Sequence, residues 1–286
     1  MFEHNETLNE ARQRNVMEAL AEDIGRGDWT AMLVPAGERV TARVVAREAA
    51  VLCGRDWFDA VFQRLDPNAR LTWRVDEGAW TTPDQPVVQI EADARALLSA
   101  ERPALNFLQL LSGTATLTRR HVDAVAGASP RPSGCAILDT RKTIPGLRLA
   151  QKYAVRVGGG QNQRLALYAG ILIKENHIAA AGGIPQVLAA AAALRAGVDI
   201  QIEVETLDQL QQALAHGAVS VLLDNFDLAA MQEAVRLNTG RAVLEVSGSV
   251  QLDQLRAIAA TGVDRISIGR LTKDVTAVDF SMRVAG

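Results

Sequence analysis

Short apolar runs alternate with amphipathic stretches through the C-terminal half of this chain, and this alternation limits its fold more than any other feature. The runs are rich in β-branched residues and end in polar ones, as buried strands do. They cover residues 137–139, 171–173, 200–204, 219–223, 242–246 and 265–268. Stretches between them, such as 207–216, 228–239 and 252–261, have helical periodicity and close on glycine. Strand, helix and strand at this spacing predict parallel βα units.

Parallel βα units predict an α/β barrel, in which the carboxyl ends of the strands carry the active site. The clear runs are fewer than the strands of a closed barrel, although residues 154–157 offer a further one. We therefore predict an α/β fold with an irregular α/β barrel over residues 116–273.

The N-terminal part has a different pattern. Residues 40–47, 71–75 and 86–91 have the composition of strands, and residues 55–65 that of a helix between them. These elements predict a separate α+β sandwich domain over residues 1–115. A helical pattern from Ala94, interrupted at Pro103 and resumed over 117–125, leads towards the barrel. The tail, 274–286, has apolar alternation and is expected to return to the first domain.

Composition excludes several classes of function. The 286 residues carry a formal net charge of -3, which gives no long-range attraction to nucleic acid or to an anionic membrane. The N-terminus lacks the apolar stretch of a secretory signal. Cys53 and Cys135 cannot form a disulfide framework, and without clustered histidines they do not indicate zinc. We expect a cytoplasmic protein that binds neither nucleic acid nor membrane.

Cations gather after the first predicted barrel strand. Arg141 and Lys142 follow Asp139, where a guanidinium can bind a carboxylate through two hydrogen bonds and an ammonium can bind phosphate. Arg164 comes shortly after the glycine run 158–160. Arg102 opens a helical stretch, and by itself indicates only a solvated arginine. Together these residues predict an anion site.

Lys174, Glu203 and Asp224 each end a predicted strand. A lysine in this position either forms a Schiff base with a carbonyl substrate or binds an anionic one. The carboxylates could bind ribose hydroxyls or Mg²⁺, which prefers one or two carboxylates together with phosphate oxygens. A structural ion pair is the alternative. Strand alternation places Glu205 on the same pleat face as Glu203 and does not separate the two.

The last two predicted strands end in loops that contain glycine. Ser247 and Gly248 follow one strand, and Gly269 follows the next. The backbone N–H groups of such loops commonly bind phosphate in barrels of this class. Either glycine alone could mark a turn, but their succession predicts a phosphate site.

A series of motifs resembles one family, the quinolinate phosphoribosyltransferases, also called carboxylating nicotinate-nucleotide pyrophosphorylases. The motifs are ERPALNF (101–107), DTRKTIPGLR (139–148), KYAV (152–155) followed by GGG (158–160), LIKENHI (172–178), IEVETL (202–207), LLDNF (222–226), LEVSG (244–248) and ISIGRLTK (266–273). They extend over nearly the whole chain, and their combination is highly specific.

The resemblance implies a reaction and a set of partners. Members of this family join quinolinate to the ribose of phosphoribosyl pyrophosphate with the help of Mg²⁺. They release carbon dioxide and pyrophosphate and give nicotinate mononucleotide for NAD biosynthesis. The resemblance also implies an N-terminal α/β domain, an irregular α/β barrel, and a homodimer in which Arg102 reaches the site of the neighbouring subunit.

The resemblance assigns substrate binding to a set of residues, which are Arg102, Arg141, Lys142, Gln163, Arg164, Lys174, Glu203, Asp224, Ser247, Gly248 and Gly269. The arginines and Lys142 would hold quinolinate, and both lysines would contact phosphate groups. Glu203 and Asp224 would bind ribose and Mg²⁺, the ion being held mainly through pyrophosphate. The two lysines and the two carboxylates are the expected catalytic residues. The serine and the glycines would bind the 5-phosphate of the ribose.

Three residues depart from the family pattern: Gln163 replaces a histidine, Ala166 a glycine and Ala169 an aspartate. Glutamine can still donate to a carboxylate, but it has no cationic form, and a charge-assisted hydrogen bond is roughly twice as strong as a neutral one. We therefore expect weaker quinolinate binding than in relatives with histidine. Ala169 could mark the loss of a side chain that orients a lysine.

Two other functions remain open on the sequence. A class I aldolase would use Lys174 as its Schiff-base residue, on a barrel with similar phosphate loops. A non-catalytic paralogue would bind nucleotides or aromatic acids without turnover, as the changes at Gln163 and Ala169 allow. The cation cluster favours the transferase over the first, and the retained lysines and carboxylates favour it over the second.

Overall fold

The computed structural model describes residues 5–284, which form two compact units. The first unit contains the described residues up to Arg119, the segment Thr143–Gly159 and the described residues from Leu271 onward. The second contains Arg120–Lys142 and Gly160–Arg270. This division differs from the expected boundaries in the segment 143–159, which the sequence placed within the barrel. The Gly146 carbonyl of that segment accepts hydrogen bonds from Arg14 and Asn15, each at 3.1 Å.

The helices are α1 (Leu8–Ile24), α2 (Arg55–Leu65), α3 (Ala94–Val125), α4 (Arg148–Val157), α5 (Glu175–Ala181), α6 (Ile184–Ala193), α7 (Leu207–Ala215), α8 (Leu228–Asn238), α9 (Leu255–Ala260) and α10 (Arg270–Lys273). The strands are β1 (Arg39–Ala46), β2 (Arg70–Trp73), β3 (Pro86–Asp93), β4 (Ala136–Leu138), β5 (Ile171–Ile173), β6 (Ile200–Val204), β7 (Ser220–Asp224), β8 (Val243–Ser247), β9 (Arg265–Ser267) and β10 (Phe280–Val284). Short 3₁₀ turns cover Ala31–Leu33, Leu167–Ala169 and Leu252–Gln254.

The first unit is built on an antiparallel sheet in the order β10-β1-β3-β2. Residues of β10 pair with β1, for example Val284 with Ala42. The aromatic side chains Trp57, Phe58 and Phe62 of α2 are almost fully buried, and they belong to one core cluster with residues of β1 and β3. Burial of aromatic side chains of this size contributes a large part of the stability of such a layer.

Two elements of this unit differ from the expectation. The interruption at Pro103 is wrong, because α3 continues through the proline. An interior proline costs about 3 kcal/mol, which α3 offsets by burying an apolar face that includes Leu97, Leu105 and Leu108. The possible strand at 154–157 is also wrong, because these residues end α4, whose Ala154 and Val155 are fully buried on one helical face.

Helix α1 had no counterpart in the sequence reading. Thr7 caps it, since the Thr7 hydroxyl accepts from the backbone N–H of Glu10 and the Glu10 carboxylate accepts from the Thr7 N–H. The spacing of Thr7 and Glu10 is a capping box, a signal that was available in the sequence.

The second unit is built on six parallel strands in the order β4-β9-β8-β7-β6-β5. Gln201 of β6 donates to Glu245 of β8 at 3.0 Å, although β7 lies between these strands. In a flat sheet, strands two places apart are separated by about 9.6 Å, so these two long side chains lean towards each other over β7 on one face of the sheet. The sheet is an incomplete barrel with β4 and β5 at its two edges, and the predicted α/β fold class is confirmed.

Among residues 5–284, no helix is both long enough and apolar enough to cross a bilayer.

Candidate active site

The buried carboxylate of Asp139, just after β4, binds the segment 161–164. Asp139 has no exposed surface, and its two oxygens accept from the backbone N–H of Gln163 at 2.9 Å and from the side chain of Asn162 at 2.6 Å. Gln161 forms a parallel bridge with Leu138 in the same place. These contacts hold the segment that carries Arg164 next to the strand that leads to Arg141.

Arg141 and Arg164 form a pair of like charges. Burial lowers the pKa of the Arg164 guanidinium from its ordinary value, and the nearby charge of Arg141 lowers it further. Arg164 also donates from Nη1 to the Gly170 carbonyl at 2.9 Å, just before β5 begins. Two half-buried guanidinium groups that repel each other are stabilised by a bound anion, and an acid with two carboxylates matches them best.

Lys142 lies next to the loop after β9 that contains Gly269. A Cβ atom at Gly269 would come within 3.0 Å of the Lys142 Cδ atom and 3.5 Å of the Thr140 hydroxyl. The absence of a side chain at Gly269 leaves room for the lysine stem beside this loop. The ammonium group and the glycine backbone, predicted separately as phosphate ligands, therefore lie together.

Lys174 and Glu203 form an ion pair at the ends of β5 and β6. The lysine Nζ lies 2.9 and 3.1 Å from the two carboxylate oxygens. The Glu203 side chain is 9% exposed and that of Lys174 is 44% exposed, so the pair opens to solvent on the lysine side. The structure also separates Glu203 from Glu205, because β6 ends at Val204 and Glu205 is exposed.

Asp224 and Ser247 are bonded across the ends of β7 and β8. One Asp224 oxygen accepts from the Ser247 hydroxyl at 2.7 Å, and the other accepts from the Asn225 side chain at 2.9 Å. The next residue, Gly248, has a φ of 132°, and a Cβ there would lie 2.9 Å from the Asn225 Oδ1 atom. The positive φ favours glycine here, and the absence of a side chain leaves the loop backbone accessible.

Arg102 is exposed on α3 in the first unit. The other predicted residues lie in the second unit, where the structure brings them together in the small groups described above.

The departures from the family pattern have different surroundings. Ala166 has φ -153°, an extended conformation that does not require glycine. Gln163 and Ala169 line one cavity of about 340 Å³, together with Arg164 and Gln201. Gln163 donates from Nε2 to Gln201 at 2.7 Å and to Glu245 at 3.5 Å.

Gln201, Glu245 and Asn225 were missed by the sequence reading. Gln201 stands two residues before Glu203, and Glu245 two residues before Ser247, so strand alternation places each on the pleat face of a predicted site residue. That signal was present in the sequence. Asn225 had no comparable signal.

Comparison with known proteins decides the family. Residues 28–112 match the model of the quinolinate phosphoribosyl transferase N-terminal domain, and residues 114–283 match that of its C-terminal domain. The chain belongs to the quinolinate phosphoribosyltransferase family. The prediction made from the motifs is therefore confirmed.

Relatives in this family cover nearly the whole chain. The nicotinate-nucleotide pyrophosphorylase [carboxylating] of Mycobacterium leprae is 42% identical over 96% of this chain and 97% of its own length. A probable enzyme of the same name from Bacillus subtilis is 39% identical, with 92% and 90% covered. The solved structure of the nicotinate-nucleotide pyrophosphorylase from Francisella tularensis has a TM-score of 0.92 at 42% identity, with 99% of this chain and 100% of that chain covered.

Proposed function

We propose that this chain transfers the phosphoribosyl group of phosphoribosyl pyrophosphate to quinolinate, with release of pyrophosphate and carbon dioxide, and so forms nicotinate mononucleotide for NAD biosynthesis. The observation that carries the proposal is that the segment bearing Arg164 is held beside the strand that leads to Arg141; burial lowers the pKa of Arg164, and the nearby charge of Arg141 lowers it further. Such a pair is suited to an aromatic acid with two carboxylates. The relatives named above are carboxylating nicotinate-nucleotide pyrophosphorylases, which supports this reaction.

Quinolinate binds through its two carboxylates. Arg141, Lys142 and Arg164 supply the positive charge from one copy of the chain, and the exposed Arg102 supplies more from the second copy of a homodimer. Gln163 lines the same cavity as Arg164, and as a neutral residue it adds no positive charge there, where a histidine could add one. A pyridine acid with one carboxylate leaves part of this charge unpaired, so nicotinate is rejected.

The 5-phosphate and the ribose bind at the ends of the last strands. The backbone of Gly248 and Gly269 and the hydroxyl of Ser247 bind the 5-phosphate, while Lys142 and Lys174 contact phosphate oxygens. Glu203 and Asp224 bind the ribose hydroxyls. Each carboxylate is already held by a partner, Lys174 and Ser247 respectively, which fixes it before the substrate arrives.

The carboxylates also fit a magnesium ion. Among the described residues no group of three or more histidine, cysteine, aspartate or glutamate side chains could hold a metal by itself. Glu203 and Asp224 offer two carboxylates at most, which matches an ion held chiefly by the phosphate oxygens of its substrate. When bound, Mg²⁺ neutralises charge that develops on the leaving pyrophosphate.

The chemistry needs alignment and fixed charge more than covalent catalysis. The pyridine nitrogen attacks the anomeric carbon of the ribose, and the bond from that carbon to pyrophosphate breaks through a cationic transition state. Glu203 and Asp224 lie where negative charge stabilises that cation, and the lysines stabilise the leaving group.

Decarboxylation follows from the new charge on the ring. The bond between ring carbon 2 and its carboxylate breaks, carbon dioxide leaves, and the electron pair stays on carbon 2 beside the positively charged nitrogen. A proton then adds to that carbon. The second carboxylate stays bound to the arginines and keeps the ring in place.

The test is nicotinate mononucleotide formation from quinolinate, phosphoribosyl pyrophosphate and Mg²⁺, with nicotinate as a parallel substrate. We expect product from quinolinate and none from nicotinate. Arg236→Ala serves as the control for Lys174→Ala, because Arg236 also pairs with a glutamate but lies on the exposed face of α8. Absence of product together with tight quinolinate binding would favour a non-catalytic paralogue, and trapping of a carbonyl substrate on Lys174 by borohydride would favour an aldolase.

A further inference from the structure

Three side chains form a closed hydrogen-bonded triangle over one face of the sheet of the second unit. Gln163 donates from Nε2 to the Gln201 Oε1 atom at 2.7 Å and to a Glu245 oxygen at 3.5 Å. Gln201 donates from its own Nε2 to the second Glu245 oxygen at 3.0 Å. Gln201 and Glu245 are buried, Glu245 completely.

The orientation of the Gln163 amide is fixed by the backbone. Its Oε1 atom accepts from the N–H of Arg164, so its Nε2 atom must face Gln201 and Glu245. The two Nε2 hydrogens are engaged with these two residues. The amide is therefore engaged inside the protein: its short contacts are with the Arg164 N–H and with Gln201, and its contact with Glu245 is longer, at 3.5 Å.

The Glu245 carboxylate is suited to hold this arrangement. It is an acceptor at both oxygens, and each oxygen faces one amide donor. A buried carboxylate is costly unless such donors satisfy it, so its presence here indicates a specific use. A series of hydrogen bonds therefore runs from Glu245, through Gln201 and Gln163, to the backbone of Arg164.

We propose that Glu245 is a positioning residue for quinolinate: it fixes Gln163 and thereby the segment that presents Arg164, without contacting the substrate. This inference rests on the proposed function, because it names the substrate that Arg164 binds. Arg164 is held at its backbone by Gln163 and at its guanidinium by the Gly170 carbonyl. Loss of the first contact lets the backbone at Arg164 shift while its charge is retained, although Asp139 still holds the preceding residues Asn162 and Gln163.

The variant Glu245→Gln tests this directly. It keeps the size of the side chain but replaces one acceptor oxygen by an amide group, which then faces a donor of Gln163 or Gln201. We expect the KM for quinolinate to rise about tenfold, as for a lost hydrogen bond to a charged group, while the KM for phosphoribosyl pyrophosphate stays within about twofold. The control is Glu233→Gln, a half-exposed glutamate of α8 in the same unit. Equal changes in both KM values, or no change, overturn the proposal.

A double-mutant cycle distinguishes positioning from an independent role. Gln163→Met removes the acceptor for the Arg164 N–H and leaves the contact between Gln201 and Glu245 in place. If Glu245 acts through Gln163, the double variant binds quinolinate no more weakly than Gln163→Met alone. Additive effects overturn the proposal. If Glu245→Gln does not fold, Gln163→Met decides: a raised KM for quinolinate together with faster exchange of the Arg164 N–H supports positioning, and a failure of either change overturns it.

Hydrogen exchange gives a readout that does not depend on activity. The Arg164 backbone N–H is protected by its hydrogen bond to Gln163. In Glu245→Gln we expect its exchange to be at least about tenfold faster than in the wild type. If Glu245→Gln does not fold, Gln163→Met is measured instead, with the same expectation. Unchanged exchange overturns the inference even if the wild type makes no nicotinate mononucleotide. If the wild type makes product and the variants are unchanged in KM and in exchange, the inference is overturned and the proposed function stands.

Discussion

The Nζ atom of Lys174 lies 2.9 and 3.1 Å from the two carboxylate oxygens of Glu203. The pair holds both charged groups at the sheet ends before any substrate binds. Replacement of Lys174 by alanine removes the cation and leaves a buried carboxylate without it. We expect kcat/KM for nicotinate mononucleotide formation to fall by about 100-fold or more, with Arg236→Ala unchanged. Steady-state kinetics of both variants check this, and a Lys174→Ala enzyme with wild-type kinetics would contradict the assigned role.

Asp139→Asn tests the carboxylate that ties Arg164 to β4. Each Asp139 oxygen accepts a hydrogen bond, from Asn162 and from the Gln163 N–H, and asparagine can accept at only one of these two positions. We expect unfolding in urea to show a loss of about 1–3 kcal/mol, together with a raised KM for quinolinate. Asp208→Asn, at an exposed position in the first turn of α7, is the matched control. A variant as stable as that control would count against this anchor.

Gly248→Ala tests the loop after β8, which we propose binds phosphate. The added Cβ meets the Asn225 Oδ1 atom at 2.9 Å in a conformation with φ 132°, so the Asn225 side chain or the loop backbone must shift. Gly217→Ala is the control, because Gly217 also has positive φ, 80°, but a Cβ there meets nothing within 4 Å. The control measures the effect of backbone strain alone, which we expect to lower the free energy of unfolding by about 1–3 kcal/mol. We expect a raised KM for phosphoribosyl pyrophosphate in Gly248→Ala only, and equal KM values in the two variants would argue against phosphate binding at this loop.

Gln163→His tests the effect of a cation at this position. A charged imidazole adds to the positive charge near Arg164 and lies within reach of the Glu245 carboxylate, which stabilises it. It gives up the bond to the Arg164 N–H, as Gln163→Met does, but gains a charge. We expect the KM for quinolinate to be lowest with histidine, higher with glutamine and highest with methionine. A histidine variant whose KM is unchanged or higher than that of the wild type would refute the expectation of weak binding by glutamine.

Asp59 gives the first unit a pH dependence. Burial raises the pKa of its carboxyl from 3.8 to about 6, although the hydrogen bond from Trp73 acts in the opposite direction. The folded state thus binds more protons than the unfolded state between these values, and stability falls as the pH rises through this window. Asp59→Asn keeps an acceptor for Trp73 and has no charge. We expect it to stabilise the protein against urea at pH 7.5 and much less at pH 4.5, and an equal effect at both values would exclude this cause.

The local sequence pattern predicted the strands of the second unit well, because each strand there is a short apolar run with a polar end. β5 and β6 have the predicted bounds, and β7 and β8 are displaced by one residue. The end of α4 was mistaken for a strand because its four residues are too few to show helical periodicity. Pro103 was predicted to interrupt the helix because the helix propensity of proline takes no account of the buried apolar face of α3.

The contacts of the site required more than sequence. Strand alternation places Gln201 and Glu245 on one face of the sheet, but their hydrogen bond across β7 depends on how the two side chains lean over that strand. The contact of Lys142 with Gly269 likewise joins residues far apart in the chain through the pairing of β4 with β9. Sequence identified the residue types and the strand ends, while the partners of each side chain came from the sheet order and the side-chain conformations.

Stoichiometry of the reaction tests the central proposal most directly. Quinolinate labelled in the carboxylate next to the ring nitrogen would be incubated with phosphoribosyl pyrophosphate, Mg²⁺ and the full-length protein, and labelled carbon dioxide, pyrophosphate and nucleotide would be measured together. We expect equal amounts of all three, with unlabelled nicotinate mononucleotide as the nucleotide. Pyrophosphate release with a nucleotide that retains the label, or no turnover at all, would contradict a decarboxylating phosphoribosyl transfer.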